Sequence, residues 1–239
     1  MWPFSRKQTL EQSGFFRNFT DWHSHILPGV DDGVQTMDDA LRILGEYERL
    51  CIGEVWLTPH VMEDISNTTA ALRERFAALR AAYNGAVKLR LAAENMLDNL
   101  FVARLAANDL LPMGESADHL LVETSYFNPP MDLYDTLEQI KQKGYYVVLA
   151  HPERYLYMDE KDYRRLKGSG VKFQLNLLSL AGGYGREVQA NAVHLLEKDC
   201  YDLTGSDLHH LRGLRYAAGL RGLDKRLLRR LDELKENRI

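Results

Sequence analysis

The stretch Thr20–Gly33, TDWHSHILPGVDDG, combines a short strand pattern with two histidines and two aspartates. His23 and His25 are two residues apart, and side chains at that spacing on a strand point to the same face. Asp31 and Asp32 follow on a tight loop. Two imidazoles and a carboxylate from one strand and its loop are typical of the start of a metal site. A lone His-x-His pattern also fits a partly buried strand end, so other segments must supply further ligands.

Strand patterns and helical patterns alternate seven times, from the strand at 19–22 to the strand at 201–205. This alternation predicts parallel strands joined by crossover helices, in either a barrel or an open doubly wound sheet. The patterns GxGxxG and GxxxxGK[ST] of nucleotide-binding open sheets are absent. We expect an N-terminal arm at 1–18 and one domain at 19–239, which ends in a basic helix at 214–239.

The two ends of the chain each allow two interpretations. The arm carries aromatic residues that are expected to pack on the domain or to touch a partner: Trp2, Phe4, Phe15 and Phe16. The C-terminal helix has a leucine stripe and a basic face. This pattern favours a packed stripe beneath a solvated face, and docking to a membrane-associated kinase or to anionic lipid is the alternative.

Composition places the chain among ordinary globular proteins, because 45% of its residues are hydrophobic and 27% are charged. A net charge of −4 gives no general argument for nucleic-acid binding. The two cysteines are far apart and lie in no motif, which favours a reducing compartment. The sequence shows neither a signal-peptide core nor an apolar stretch of membrane-spanning length. We expect a cytoplasmic protein with no membrane span and no nucleic-acid partner.

Polar residues suited to metal binding fall at six of the seven expected strand ends. In a parallel α/β barrel the carboxyl ends of the strands form the active site. The sixth strand ends instead in Asn176, which is not an expected ligand. Asp31 and Asp32 compete for one role, and we favour Asp32. The candidate ligands are His23, His25, Asp32, His60, Glu94, Glu123, His151, Asp207 and His209.

This set is too large for one ion. Zinc, manganese or iron takes about four to six ligands, so the set suits two or three ions with bridging carboxylates. Three divalent ions would exceed the charge of the four carboxylates by about two units, or by about one with a bridging hydroxide. Such a site attracts an anion, and phosphate is the expected one.

The segments HSHILPGVDDG, TPH, AAEN, LVETS, LAHPERY and GSDLHH, in this order, resemble the polymerase and histidinol phosphatase (PHP) superfamily. The branch that they most resemble is the bacterial capsule-biosynthesis protein tyrosine phosphatases. The resemblance runs from about Asp21 to His210. It implies a distorted (β/α)7 TIM-like barrel with three metal ions, usually manganese, iron or zinc, held by the nine candidate ligands.

The resemblance also implies catalytic roles for His151, Arg154 and Asp207, with Arg154 holding the phosphate. A second phosphate-binding arginine usually follows the last metal-binding histidine by a few residues. Arg212 and Arg215 bracket the expected place, and neither aligns cleanly. Both remain candidates for substrate binding.

These features predict a metal-dependent protein tyrosine phosphatase, in which a metal-bound hydroxide attacks phosphorus in line. A phenol, with a pKa of about 10, leaves more easily than an alkyl alcohol, which favours phosphotyrosine as substrate. Tyr126 and the apolar residues after it form a rim for the substrate ring or simply pack their loop. The resemblance implies a membrane-associated bacterial tyrosine kinase, which controls capsular or exopolysaccharide synthesis, as the phosphoprotein partner.

Two other functions stay open. One is hydrolysis of a small phosphomonoester such as histidinol phosphate. The other is a non-catalytic module that binds phosphotyrosine or docks a partner. A cysteine-dependent phosphatase is excluded, because that chemistry needs an arginine six residues after the cysteine. Leu57 follows Cys51 at that distance, and Ser206 follows Cys200.

Overall fold

Short parallel strands alternate with helices along the chain, as the sequence pattern predicted. The computed structural model describes residues 8–239, so Trp2 and Phe4 of the arm lie outside the described residues. The strands are β1 (Thr20–Ser24), β2 (Glu54–Leu57), β3 (His60–Val61), β4 (Lys88–Leu91), β5 (Glu94–Met96), β6 (His119–Glu123), β7 (Tyr146–Ala150), β8 (Lys172–Asn176) and β9 (Leu203–Gly205). The α-helices are α1 (Met37–Arg49), α2 (Thr69–Ala82), α3 (Asn99–Ala107), α4 (Leu133–Gln142), α5 (Glu160–Gly168), α6 (Leu177–Leu180), α7 (Arg186–Glu197), α8 (Leu211–Ala218) and α9 (Lys225–Lys235). A 3-10 turn covers Pro152–Arg154.

The strands form a curled parallel sheet in two hydrogen-bonded parts. One part has the order β1-β2-β4, and the other has the order β3-β5-β6-β7-β8-β9. Every registered pair of these strands is parallel. The segment after β9 also joins β1, because the amide of Asp207 donates to the carbonyl of His23 at 2.8 Å and the amide of His25 donates to that of Leu208 at 2.9 Å. The prediction of an α/β fold with parallel strands is confirmed.

Two strands continue after an interruption, past the ends that the sequence predicted at 58 and 93. β2 and β3 are separated at Pro59, which has no amide hydrogen for the sheet. β4 and β5 are separated where the amide of Ala92 still donates to Leu57 but that of Ala93 donates to Leu111. The segment after each interruption begins with a candidate ligand, His60 or Glu94.

The described part of the arm packs on the domain. Phe15 and Phe16 are buried, and their rings contact each other and Phe19. The amide of Leu10 donates to the carbonyl of Leu220 at 2.9 Å. Residues 8–18 therefore bridge the strand that opens the sheet and the connection that follows α8.

The predicted single helix at 214–239 is wrong, because two helices lie there. Helix α8 ends at Ala218, and Gly222 adopts a left-handed φ of 92° before Asp224 caps α9. Glycine permits that conformation without a steric penalty. The leucine stripe of α9 is buried on the core, as predicted.

No helix within residues 8–239 combines the length and the hydropathy needed to cross a membrane. Cys51 and Cys200 are both free thiols.

At Gly205, strand β9 approaches His23 and Gln174 closely, so a substitution there tests the packing beside the candidate ligands. A Cβ atom at Gly205 would lie 2.5 Å from the Cβ of His23 and 2.8 Å from the Nε2 of Gln174. We expect Gly205→Ala to lower the free energy of unfolding by about 1–3 kcal/mol through overpacking. Urea denaturation measures this change.

Gly45→Ala is the matched control, because a Cβ at Gly45 in α1 would meet nothing within 4 Å. Helix propensity predicts that this control raises the free energy of unfolding by about 0.5–1 kcal/mol. Equal effects of the two substitutions would contradict the close approach at Gly205.

Candidate metal centre

All nine candidate ligands lie at the carboxyl ends of the parallel strands. The register places His60 of β3 directly opposite Glu94 of β5, and Met96 opposite Glu123 of β6. Eight of the nine fall into three groups whose ligand atoms lie within 4.8 Å of one another. The groups share members, so they form one continuous centre. His119 lies outside these groups and begins β6 at the opposite end, where its ring stacks on Tyr146.

The deepest group contains His23, His25, Glu94 and Asp207. Nε2 of His23 lies 3.1 Å from Nε2 of His25, 3.1 Å from Oε2 of Glu94 and 3.4 Å from Oδ1 of Asp207. Nε2 of His25 lies 3.3 Å from each of the same two oxygens. Ligands at about 2.0–2.2 Å around a tetrahedral ion are separated by about 3.3–3.6 Å. The spacing therefore fits a divalent first-row metal.

A second buried group joins His60, Glu94 and Glu123. Nδ1 of His60 lies 3.1 Å from Oε2 of Glu94 and 3.0 Å from Oε1 of Glu123. The angles do not make these contacts hydrogen bonds, and all three atoms lack a hydrogen-bond partner. Nε2 of His151 lies 3.0 Å from Oε1 of Glu94 and 4.0 Å from Oε2 of Glu123. Unpartnered buried polar atoms are costly, and a bound cation would satisfy these.

The third group lies at the mouth and adds Asp32 and His209 to His25 and His60. Oδ1 of Asp32 lies 3.6 Å from Nε2 of His60 and 3.5 Å from Nε2 of His209. The Asp32 side chain is 66% exposed, whereas His23, His25 and Glu94 are fully buried. The centre therefore grades from a closed interior to an open rim.

Hydrogen bonds at the Nδ1 atoms of His23 and His25 hold both rings with Nε2 toward the centre. Nδ1 of His23 lies 2.8 Å from Oε1 of Gln174, and Nδ1 of His25 lies 2.8 Å from Oδ2 of Asp31. Such partners fix the ring orientation of metal-binding histidines. The two adjacent aspartates thus have different places: Asp31 orients His25, and Asp32 faces His60 and His209.

Two site residues have left-handed backbone conformations that are uncommon outside glycine. The φ angles are 36° at His151 and 51° at Asp207. Because β9 ends at Gly205, the turn at Asp207 rather than strand alternation positions Asp207 and His209. Local strain of this kind persists where surrounding contacts over-determine it.

Two buried acids outside the ligand set anchor those turns. Asp21 accepts hydrogen bonds from the amide of Ser206 at 2.7 Å and from its hydroxyl at 2.6 Å. Glu153 accepts from the amide of Asn176 at 3.0 Å and from the hydroxyl of Tyr201 at 3.0 Å. Each acid thereby fixes the backbone beside a left-handed site residue.

Opposite charges shift the pKa values of the buried site residues. Although burial opposes protonation, Glu94 and Asp207 raise the pKa of His23 to about 9. Burial also disfavours the charged form of Asp207, but His23 and His25 hold its pKa well below the ordinary value. A hydrogen bond from His209 lowers the pKa of Asp32 to about 2. Without metal, a proton on His23 offsets part of the negative charge of these carboxylates.

Arg154 lies beside this centre between aromatic rings. Its Cζ is 4.2 Å from the ring centroid of Tyr126 and 4.1 Å from that of Tyr184. Its Nη1 donates to Oδ2 of Asp207 at 3.0 Å, and Nδ2 of Asn176 donates to the same oxygen at 2.7 Å. A guanidinium in this position can bind an anion next to the metal-site candidates.

A cavity of about 770 Å³ opens over the centre. Tyr126, Arg154, Tyr184 and Arg212 are among the residues that line it. Arg215 is not among them, although it follows Arg212 in α8 by less than one turn. Of the two bracketing arginines, only Arg212 lines this cavity.

Sequence reasoning missed the supporting residues Gln174, Asn176 and Tyr184. Gln174 and Asn176 share one side of β8 by their spacing, although the sequence predicts no ligand at Asn176. Tyr184 follows two glycines in a loop that carried no motif. A polar pair at alternate positions near a strand end was the only local signal.

A family model described as capsular polysaccharide synthesis, CpsB/CapC, matches residues 19–231. The chain belongs to the CpsB/CapC family. The resemblance to the capsule-biosynthesis branch is therefore confirmed, and the match includes every candidate ligand.

Two tyrosine-protein phosphatases are similar to this chain along most of their length. The tyrosine-protein phosphatase YwqE of Bacillus subtilis (strain 168) is 27% identical over 206 residues, which cover 80% of this chain and 78% of that protein. The tyrosine-protein phosphatase CpsB of Streptococcus pneumoniae is 25% identical over 212 residues, with 80% and 83% covered.

A solved structure supports the fold of this CpsB/CapC chain. It comes from a study of YwqE from Bacillus subtilis and CpsB from Streptococcus pneumoniae, described as unique metal-dependent tyrosine phosphatases. The TM-score is 0.76 at 24% identity, and the match covers 92% of this chain and 95% of that chain. The likeness shows a shared fold.

Glu94 belongs to two of the three groups, so its loss should affect more than one ion. We expect Glu94→Gln to lower the metal content of the dialysed protein by at least about one ion per chain. Plasma mass spectrometry measures the content. Asp118→Asn is the control, since Asp118 pairs with His119 at the other end of the strands. Wild-type content in Glu94→Gln would contradict the shared-ligand arrangement.

The pKa of His23 predicts how the stability of the chelated protein depends on pH. A histidine with a raised pKa stabilises fully below its unfolded value of about 6.5, and the effect is lost as pH rises through the folded value. For His23 the folded value is about 9. Between pH 6.5 and 9 the free energy of unfolding should therefore fall, by an amount on the order of 3 kcal/mol.

Urea denaturation in chelator across this range tests the prediction. Loading with manganese should flatten the slope, because the metal replaces the proton. A His23→Gln variant should also show a smaller slope. Equal stability of the chelated wild type at pH 6.5 and 9 would refute the predicted protonation of His23.

Proposed function

We propose that this chain is a metal-dependent protein tyrosine phosphatase. The observation that carries the proposal is the placement of Arg154 against Asp207, a carboxylate that also faces His23 and His25. This arrangement puts an anion-binding guanidinium beside a cluster of metal-site donors. The printed activity of the relatives YwqE and CpsB supports the same function.

For the architecture we propose a distorted (β/α)7 TIM-like barrel. Counting β2 with β3 as one strand and β4 with β5 as another leaves seven strands. The pairings then run from β1 through both interrupted strands to β6, β7, β8 and β9. The contacts of His23 and His25 with the segment after β9 support closure.

We propose that the centre binds three divalent ions, with manganese as the expected metal and iron or zinc as alternatives. The three donor groups support that number. The donors are imidazoles and carboxylates without thiolates, a set that suits each of these metals. Ions bound there would supply positive charge to the phosphoryl oxygens and lower the pKa of the attacking water.

The residues of the chain bind and orient the substrate. Arg154 would hold non-bridging phosphoryl oxygens through its guanidinium, a geometry that favours bidentate contacts. Its contact with Asp207 keeps it turned toward the centre. His151 adjoins Glu94, so it would hold metal rather than substrate. Binding between fixed charges stabilises the charge that develops in phosphoryl transfer.

Phosphotyrosine is the proposed substrate group. Its phenol leaves with less protonation than an alkyl alcohol needs, so the site depends less on a general acid. Tyr126 lines the cavity beside Arg154, which supports a role at the substrate ring. For the partner we propose a membrane-associated bacterial tyrosine kinase of capsular or exopolysaccharide synthesis, dephosphorylated in the cytoplasm.

Hydrolysis of a small phosphomonoester such as histidinol phosphate is the second candidate. The open mouth at Asp32 favours a larger substrate over an enclosed small one. An incomplete donor set would favour a module that binds phosphotyrosine without turnover, whereas the described donors make three groups.

Metal removal tests the main proposal. The protein loaded with manganese should hydrolyse a phosphotyrosine peptide, and chelation should abolish the activity until manganese is restored. His151→Ala should lower kcat by about 100-fold or more, because it removes a proposed ligand. Phosphate release measures the rate. A loaded protein that hydrolyses histidinol phosphate but not the peptide would favour the second candidate.

The second phosphate-binding arginine is proposed to be Arg212. We expect Arg212→Ala to raise KM for the peptide about tenfold, since a charge-assisted hydrogen bond contributes about 1.5–3 kcal/mol. Arg215→Ala removes the same charge from the same helix, but outside the cavity lining. Steady-state kinetics compare the two variants, and a larger effect of Arg215→Ala would reverse the assignment.

A further inference from the structure

We propose that Tyr184 is a positioning residue that, together with Tyr126, holds the guanidinium of Arg154 in one orientation for phosphate. The proposal rests on the proposed phosphatase function and adds a residue to its substrate site. Tyr184 lies in the loop between α6 and α7. It is far from every candidate ligand in the sequence, and only the fold brings it to the site.

The first observation is the contact of two aromatic rings with one guanidinium. Tyr184 and Tyr126 approach Cζ of Arg154 to 4.1 and 4.2 Å. The Arg154 side chain is only 18% exposed. A guanidinium whose faces contact rings presents its edge, and its N–H groups lie in that edge. The rings therefore restrict rotation of the group that is meant to bind phosphate.

The second observation is the distribution of contacts on Asp207. Its Oδ2 accepts from Arg154 at 3.0 Å and from the hydroxyl of Tyr184 at 3.3 Å. Its Oδ1 instead faces His23 and His25 at 3.4 and 3.3 Å. One oxygen thus belongs to the metal-site donors, and the other joins Arg154 and Tyr184. Tyr184 contacts the arginine and its anchor together.

The third observation explains the glycines around Tyr184. Gly182 and Gly185 have φ angles of 87° and 95°, a conformation that side chains disfavour. A Cβ at Gly183 would lie 2.6 Å from Cγ of Leu178. The glycine-rich loop therefore permits a tight return of the chain, and this return brings the Tyr184 ring over Arg154.

Preorganisation gives this arrangement a functional consequence. An arginine side chain loses rotamer freedom when it binds an anion, and prior ordering reduces that loss. Without the Tyr184 ring, the guanidinium should bind phosphate more weakly while the metal-site donors keep their positions. A loss of phosphate affinity without a loss of metal separates this role from a merely structural one.

Two substitutions test the role of the ring. In the protein loaded with manganese, Tyr184→Ala should raise the Kd for inorganic phosphate and the KM for a phosphotyrosine peptide about fivefold or more. Tyr184→Phe keeps the ring, so both constants should stay within about twofold of wild type. Metal content should be unchanged in both variants. Calorimetry, peptide hydrolysis and plasma mass spectrometry provide the three measurements.

Tyr146→Ala is the matched control, because Tyr146 is an exposed tyrosine at the opposite end of β7. A double-mutant cycle that combines Tyr184→Ala with Arg154→Lys tests the coupling between these two residues, since lysine lacks the planar group that the ring contacts. In that background Tyr184→Ala should change phosphate affinity by less than about twofold. A full effect there would show that Tyr184 acts independently of Arg154 and would overturn the proposal.

The remaining outcomes are also decisive. A Tyr184→Ala variant that matches Tyr146→Ala, or that loses metal, overturns the positioning role. If the loaded wild type fails to hydrolyse the peptide, the phosphatase function fails. The phosphate Kd then still tests the positioning of Arg154, so the two failures are distinguishable.

Discussion

The burial of paired ionisable groups at the strand ends is the constraint on which the rest of the structure depends. His23, His25 and Glu94 are fully buried, and isolated charges in such a place would be prohibitively costly. Their mutual contacts, and partners behind them such as Gln174 and Asp31, meet that cost. The same arrangement leaves donor atoms that a cation would satisfy, so stability and metal binding depend on one set of contacts.

Two of the residues with uncommon backbone conformations lie where the chemistry is proposed to occur. His151 and Asp207 adopt left-handed conformations, and each adjoins a turn held by a buried carboxylate. Asp21 and Glu153 supply those carboxylates, and neither is a candidate ligand. Buried acids therefore have two separate roles in this fold. The candidate ligands face the proposed ions, whereas Asp21 and Glu153 hold the turns that orient those ligands.

Asp207 connects the two halves of the proposed active site. Through one oxygen it faces the deep histidines, and through the other it contacts Arg154, Asn176 and Tyr184. Phosphate held by Arg154 would consequently lie next to the ions rather than at a distance from them. Glu94 is fully buried, whereas the Asp32 side chain is largely exposed. The proposed active site is therefore open to a large substrate on the side of Asp32.

The sequence by itself determined the alternation of strands and helices, the ligand types at the strand ends and the family, because these depend on residues close together in the chain. Tertiary structure alone decided which of Asp31 and Asp32 faces the centre, which bracketing arginine lines the cavity, and that Tyr184 reaches Arg154. Those outcomes depend on register and on turns, such as the one at Asp207, that long-range contacts impose. A local pattern cannot specify them, since the atoms that select each conformation come from distant parts of the chain.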